Sequence, residues 1–387
     1  MAQQYRADQV GSLLPSPALL RARAAYRARE TTLAALRAEE DRAIDAALTL
    51  QRAAGMEIFT DGELRRASLY SVLTDAVDGF VTAPPPRGGA TLNSSSDQWD
   101  SPGQVVGHAL HRLYRLTAVE AAYLKQHAPG PIKVTLPSPV AAMNALYRPG
   151  VSERAYPTPE DLLDDLVPII RAEMRALVDD GVACIQLDEG FSGFVGESWR
   201  GRLRLMGQEP TGALERAIAA ENACYDALPR DRVTLAMHLC RRNARSAWGG
   251  IAGYENIAEQ VFGSLHVDRF LLDYDCERSG SFSPLRSLPP EKTAVLGLVS
   301  SRQSWLETAE NLRSRIEEAA LYLPLDQLAV STQCGFARAA ARGLLSEEDQ
   351  RRKLQLVADT ARDIWSQQPV HAAKARSGPA LMRTIPS

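Results

Sequence analysis

His238-Leu239-Cys240 closes one apolar run of the sequence, Cys334-Gly335 follows another, and between them Asp273 ends a third, Phe270-Leu271-Leu272. Each run is short and β-type, and each donor is its last residue or lies just past it. If these strands neighbour one another in a parallel sheet, their carboxyl ends bring together an imidazole, two thiolates and a carboxylate. That set suits zinc (Zn2+), which is four-coordinate and takes Cys sulfur at about 2.3 Å and His nitrogen at about 2.0–2.1 Å. Soft thiolates speak against magnesium or calcium, which prefer oxygen. Cysteine is also among the most buried residue types, and His-x-Cys recurs by chance, so the pattern needs an architecture that gathers its members.

Bulk properties narrow the setting. A chain of 387 residues with 45% hydrophobic and 24% charged residues has the composition of a soluble globular protein. A net charge of −3 gives no electrostatic reason to expect nucleic acid or an anionic membrane as partner. No stretch approaches the roughly 20 apolar residues of a transmembrane helix. The start, Met1-Ala2-Gln3-Gln4-Tyr5-Arg6, has no apolar core of a secretion signal. Five widely spaced cysteines do not read as a disulfide framework. The expectation is a cytoplasmic protein with free thiols.

Short β-type runs recur at Arg6–Val10, Met56–Thr60, Ile132–Leu136, Ala183–Asp188, Val233–His238, Arg269–Asp273, Ala294–Val299 and Leu328–Thr332, each succeeded by helical periodicity. Strands alternating with helices imply parallel pairing through right-handed crossovers. Thr32 to Ala54 reads as a long helix stopped by Gly55. Thr158-Pro159-Glu160-Asp161 and Ser346-Glu347-Glu348-Asp349 read as helix starts, the second running to about Trp365. Eight such units predict an α/β fold, a single-domain (β/α)8 TIM barrel spanning residues 1–368, with a doubly wound open sheet as the alternative. Residues 83–107, rich in Pro, Gly and Ser, read as an insertion after the second unit that either covers the barrel mouth or leaves the surface as a loose excursion. Residues 147–157 form a shorter one, and 369–387 read as a poorly ordered tail.

Barrel active sites lie at the carboxyl ends of the strands. The residues at those ends are Gly11-Ser12, Asp61-Gly62-Glu63, Pro137-Ser138-Pro139, Asp188-Glu189, His238 with Cys240, Asp273, Ser300-Ser301-Arg302 and Cys334. Nearly every polar or metal-binding interruption of the apolar pattern falls at that one end, where chance would scatter them.

Val10-Gly11-Ser12, Thr60-Asp61-Gly62-Glu63, Leu187-Asp188-Glu189, His238-Leu239-Cys240 and Gln333-Cys334-Gly335 resemble the catalytic half of cobalamin-independent methionine synthase. The closer likeness is to its shorter single-barrel relatives, through His238-Leu239-Cys240-Arg241-Arg242-Asn243, Asp275-Cys276-Glu277-Arg278-Ser279-Gly280 and Gly297-Leu298-Val299-Ser300-Ser301. The resemblance covers nearly the whole chain and implies a zinc-dependent barrel that alkylates a thiol, with a homocysteine-like acceptor and a methyl or alkyl donor as partners. By position it implies His238, Cys240 and Cys334 as zinc ligands. It also implies Gly11, Ser12, Glu63 and Asp188, with Glu189 beside them, as the residues that receive the acceptor's carboxylate and ammonium. Zinc stabilises a coordinated thiol as thiolate, and two carboxylates at Glu63 and Asp188 suit an ammonium. Either acid alone also reads as one favoured by a helix N-terminus.

Three departures from the family pattern bear on the chemistry. Asp273 stands where the family has a glutamate ligand, so it either ligates after a small backbone shift or leaves room for water, with Glu277 as a less suitable substitute. Ser300-Ser301-Arg302 stands where the large members carry a proton-donating histidine with its aspartate, and arginine is no general acid near pH 7. The resemblance is to the catalytic half alone, so the expectation is a chain without the amino-terminal barrel of those members. Arg241-Arg242 adds positive charge near the mouth or is simply solvated. The leading expectation is a zinc-dependent thiol S-methyltransferase. The alternatives are an alkyl-thiol transferase of the epoxyalkane:coenzyme M type, a metal-free decarboxylase resembling uroporphyrinogen decarboxylase, and a non-catalytic zinc-stabilised barrel. A sulfonated thiol would be repelled by Glu63 and Asp188, which favours an amino-acid thiol.

Overall fold

The computed structural model describes residues 5–82, 103–188, 190–191, 193–195, 199–205, 210–226, 228–240, 253–276, 279–337 and 344–366. Nine strands are present among them: β1 (Ala7–Asp8), β2 (Val77–Thr82), β3 (Gln104–Arg112), β4 (Lys133–Pro137), β5 (Cys184–Asp188), β6 (Thr234–Leu239), β7 (Arg269–Asp273), β8 (Thr293–Val299) and β9 (Leu328–Thr332). Seven pair in parallel in the order β1-β9-β8-β7-β6-β5-β4. This is the curled, helix-covered sheet of a TIM-type barrel, as the alternation of strands and helices predicts.

The expected second strand, Met56–Thr60, is reduced to a single parallel bridge between Phe59 and Ile132, with Phe59 N–H donating to Pro131 C=O and Lys133 N–H to Phe59 C=O. On its other side Thr60 Oγ1 donates to Gly11 C=O at 3.1 Å and Leu13 N–H to Gly62 C=O at 2.9 Å. The segment thus fills the gap between β1 and β4 with little regular pairing.

Alternation along the strands sorts residues to two sides. One side of each buries a compact apolar set, Tyr5, Val10, Ile58, Cys184, Ala236, Leu271, Val295 and Ala329, drawn from nearly every strand position in turn, which is the barrel interior. The opposite side packs against the helices in the main core. Because burial is two-sided, strands such as β8 (Thr-Ala-Val-Leu-Gly-Leu-Val) read as continuous buried runs rather than alternating ones. Deeper in the barrel, Lys133 Nζ donates to Asp8 Oδ1 at 2.7 Å and Arg269 Nη2 lies 3.4 Å from Asp8 Oδ2, so the buried charges there are paired.

Helix ends obey their signals. Thr32 caps Leu33–Ala54 and Gly55 ends it in the left-handed conformation at φ 84°. Ser346 and Asp349 form a capping box at the start of Glu347–Trp365. Thr158 and Asp161 exchange the same pair of bonds, but they open a short 3-10 turn, Glu160–Leu162, before the helix Leu163–Asp179.

Residues 104–107, inside the 83–107 insertion, belong to β3, which pairs antiparallel with β2 as a two-stranded ribbon outside the barrel sheet. Residues 83–102 and the tail from 367 onward lie outside the described residues.

Candidate metal centre

Alternation aims the donors. Ala236 lies in the barrel interior, so His238 and Cys240, two and four residues on, face the same way at the carboxyl end of β6. Leu271 does the same for Asp273 on β7. Cys334 lies two residues past β9, in a turn held by Gln333 N–H to Val299 C=O at 2.8 Å and by Thr332 Oγ1 to Cys334 C=O at 3.3 Å. The pairing β6-β7-β8-β9 makes these ends contiguous.

The four side chains are buried, and one donor atom from each lies within 4.8 Å of all the others. Cys240 Sγ and Cys334 Sγ are 3.6 Å apart, Cys334 Sγ is 3.5 Å from Asp273 Oδ2, and His238 Nε2 is 3.5 Å from Asp273 Oδ1. Among the described residues His238 Nε2 is buried with no hydrogen-bond partner, since the 3.5 Å to Asp273 Oδ1 exceeds the usual N–H···O reach. An orphaned ring nitrogen aimed at two thiols and a carboxylate fits a soft divalent ion and leaves a polar debt without one. The chemistry of the set therefore accommodates zinc. Its electrostatics agree: although burial works against it, Asp188 and Asp273, one at each ring nitrogen, hold the His238 pKa well above its ordinary value. A positive charge is favoured at that position.

Beside the donors lies a carboxylate pair. Asp188 Oδ1 is 3.4 Å from His238 Nδ1 and accepts from Gln186 Nε2 at 2.7 Å, while the same Gln186 amide reaches Val10 C=O at 2.6 Å. Glu63 is buried, accepts from Thr135 Oγ1 at 2.7 Å, and has Arg66 Nη1 at 3.7 Å. Its φ of 56° is a left-handed backbone that non-glycine residues rarely adopt, held by an Asx turn in which Glu63 N–H donates to Asp61 Oδ1 at 2.9 Å. Burial raises the Glu63 pKa to about 7, with Asp188 and Asp61 adding to the effect and Arg66 and Thr135 opposing it. Gly11 lets this carboxylate sit close, because a Cβ there would lie 2.8 Å from both Glu63 Oε1 and Thr135 Cγ2. Ser12 closes the other side: its carbonyl accepts Phe336 N–H at 2.8 Å and its Oγ accepts Ala337 N–H at 3.4 Å, tying the first loop to the one that carries Cys334.

No local feature of the sequence singles out Arg66. It is fully buried, forms a two-pronged pair with Glu120 (3.0 and 2.6 Å), donates to both the hydroxyl and the carbonyl of Thr135, and so fixes the Thr135 hydroxyl on Glu63. Arg302 places Nη2 3.8 Å from Cys334 Sγ and so brings positive charge against one sulfur of the cluster. The loop bearing it is anchored by Glu307, which accepts from Ser300 N–H at 2.7 Å and pairs with buried Lys353 at 3.1 Å. Glu189, Arg241, Arg242 and Glu277 lie outside the described residues.

With this geometry in place, comparison with known proteins is specific. The profile of the family "Cobalamin-independent synthase, Catalytic domain" matches residues 7–361. The uncharacterized protein YxjH of Bacillus subtilis (strain 168) is 33% identical over 365 residues, which cover 93% of this chain and 95% of YxjH. The 5-methyltetrahydropteroyltriglutamate–homocysteine methyltransferase of Trichodesmium erythraeum is 23% identical over 331 residues, but this chain matches only 40% of its length. Among solved structures, a Listeria monocytogenes protein assigned as a vitamin-B12 independent methionine synthase is 25% identical, with a TM-score of 0.69 over 94% of this chain and 99% of that one. A B12-independent methionine synthase from Shewanella sp. W3-18-1, in complex with selenomethionine, shares the fold at 19% identity and a TM-score of 0.71, over 93% of this chain and 98% of that one. The chain belongs to the cobalamin-independent methionine synthase catalytic-domain family.

Proposed function

We propose that this chain is a zinc-dependent thiol S-methyltransferase whose acceptor is an amino-acid thiol of the homocysteine kind. The observation that carries the reading is the convergence of His238, Cys240, Asp273 and Cys334 on one buried point, with no hydrogen-bond partner for His238 Nε2 among the described residues. Methyl transfer to homocysteine, the activity in the name of the Trichodesmium relative, comes to this chain through that donor set.

His238, Cys240 and Cys334 would hold the ion, with Asp273 as fourth group: shorter than the family's glutamate by one methylene, it nonetheless shares the cluster. When bound, zinc supplies a substrate sulfur stabilised as thiolate at neutral pH. The other roles belong to the protein. Glu63 and Asp188 receive the acceptor's ammonium, which relieves the repulsion between two neighbouring buried carboxylates. Arg66 and Thr135 keep Glu63 in place for it. The Gly11-Ser12 turn lies against the same carboxylate and would face the acceptor's own carboxylate. Arg302 offsets the negative charge that accumulates when two cysteines, an aspartate and a substrate sulfur gather at one point.

The test is zinc-loaded protein offered homocysteine, cysteine and a sulfonated thiol, each with methylfolate, methylcobalamin or an epoxide, and read by mass spectrometry. Methylated homocysteine that disappears on chelation supports the reading. Alkylation confined to the sulfonated thiol with the epoxide would transfer the chain to the alkyl-thiol transferase class.

A further inference from the structure

We propose that Tyr254 is a positioning residue for the metal centre, using its hydroxyl to set the spacing of Cys240 and Asp273. The proposal rests on the reading that the four-donor cluster binds a metal. Tyr254 is fully buried, its ring 5.6 Å edge-to-face from Tyr274 and 6.4 Å from Phe262. Its hydroxyl donates to Leu239 C=O at 2.8 Å and accepts from Asp273 N–H at 2.8 Å. One oxygen therefore joins the residue immediately before one ligand to the backbone of another.

The place of this bridge gives it consequence. The residue pairing of β6 with β7 runs from Ala236↔Arg269 and ends at Leu239↔Leu272. Cys240, just past the end of β6, and Asp273, the last residue of β7, come next, where pairing between these two strands no longer dictates separation. A phenolic hydroxyl has one hydrogen to give and lone pairs to accept, so it can satisfy both groups at once and hold them a fixed distance apart. Metal sites tolerate deviations of only about 0.2 Å in ligand distance. Packing alone does not call for a tyrosine, since Phe262 and Phe270 pack in the same region as a tilted pair with ring centroids 5.0 Å apart. Removing the oxygen leaves a buried N–H and C=O to find each other or stay unpaired, and either outcome moves the ligands.

The experiment compares wild type, Y254F and Y225F. The Tyr225 hydroxyl donates to Ala236 C=O at 3.3 Å, on β6 four residues before Cys240, and so reports the structural cost of losing such a bond. Each metal-free protein is titrated with zinc against a chromophoric chelator and then loaded with cobalt(II) for its absorption spectrum. Y254F should lose about 10–100-fold in zinc affinity, the usual effect of removing a group that orients a ligand, and should shift the cobalt bands. Y225F should lower the melting temperature while leaving affinity and spectrum unchanged. Y254F with wild-type affinity and spectrum would overturn the role of Tyr254 alone, whereas a wild type that takes up neither metal would overturn the reading of the cluster and this role with it. Should Y254F not fold, 3,5-difluorotyrosine placed at position 254 alone keeps ring and hydroxyl. Its fluorine resonance should then move on zinc addition, and an unmoved resonance would overturn the proposal.

Discussion

Asp188 Oδ1 lies 3.4 Å from His238 Nδ1, so one carboxylate borders the proposed metal donor set and belongs to the proposed acceptor-binding pair. A carboxylate on the far nitrogen of a ligating imidazole fixes its tautomer and orientation. The same oxygen is held by Gln186 at 2.7 Å, so Asp188 is oriented in its turn.

Asp188 and Glu63 should therefore separate on mutation. Glu63→Gln is expected to weaken amino-acid binding by about 1.5–3 kcal/mol, the worth of a charge-assisted bond, and to leave zinc affinity unchanged. Asp188→Asn should weaken both. Calorimetry with homocysteine at fixed zinc content, beside a zinc competition titration, reads the two effects. Wild-type zinc affinity in Asp188→Asn would restrict that residue to the acceptor.

Acceptor binding should also depend on pH through Glu63. Its pKa of about 7 means that the carboxyl is largely neutral at pH 6 and ionised at pH 8. Affinity for an ammonium should rise across that interval, and Glu63→Gln should remove the rise. L-Methionine is the ligand for this titration, because it carries the amino-acid head group and no thiol proton. A rise that persists in the variant would assign the titration to another group.

Glu221 gives a stability test away from the centre. Its buried carboxyl accepts from Val140 N–H at 3.4 Å near the start of the helix Pro139–Leu146, and burial raises its pKa to about 8 against the bonds from Ser138 and Val140. Between its ordinary 4.5 and about 8 the folded protein keeps a proton that the unfolded chain has released. This group's contribution therefore falls as pH rises through that window. Glu221→Gln should melt higher than wild type above pH 8 and converge with it below 4.5. A constant offset at all pH values would mean that Glu221 does not titrate there.

The choice of methyl donor is open to an assay that needs no mutation. By the resemblance, Ser300, Ser301 and Arg302 stand where the family's large members would carry a proton-donating histidine, and Arg302 Nη2 lies 3.8 Å from Cys334 Sγ. A leaving folate nitrogen needs a proton, and general acid catalysis is typically worth about 10²–10⁴-fold. Methylcobalamin should outperform methylfolate by a margin of that order at saturating thiol. Equal rates would show that another acid serves.

Much of this was legible in the chain because strands buried on both faces announce themselves as apolar runs, and the residue that breaks such a run is already at its end. His238, Asp273 and Cys334 are found that way. The features that escaped depend on contacts the sequence does not order. Arg66 reaches Glu120 across 54 positions, and nothing local distinguishes it from the solvated Arg52. Tyr254 reads as one more core aromatic until its hydroxyl is seen between two strands. The ribbon of β2 and β3 was hidden by the Pro, Gly and Ser of the segment between its strands. Met56–Thr60 has the composition of a strand, yet only Phe59 pairs as one, while its neighbour Thr60 is held by the Gln51 side chain, which accepts Thr60 N–H at 2.9 Å and donates to Thr60 C=O at 2.8 Å.

The central claim is that the cluster presents a metal to a substrate sulfur, and X-ray absorption at the zinc edge tests it most directly. Protein purified without added metal should hold about one zinc with two sulfur neighbours near 2.3 Å, from Cys240 and Cys334. Homocysteine should add a third sulfur at the same distance, and methionine should not. A sulfur count that stays at two with saturating homocysteine, or a zinc environment unaltered in Cys334→Ser, would contradict it.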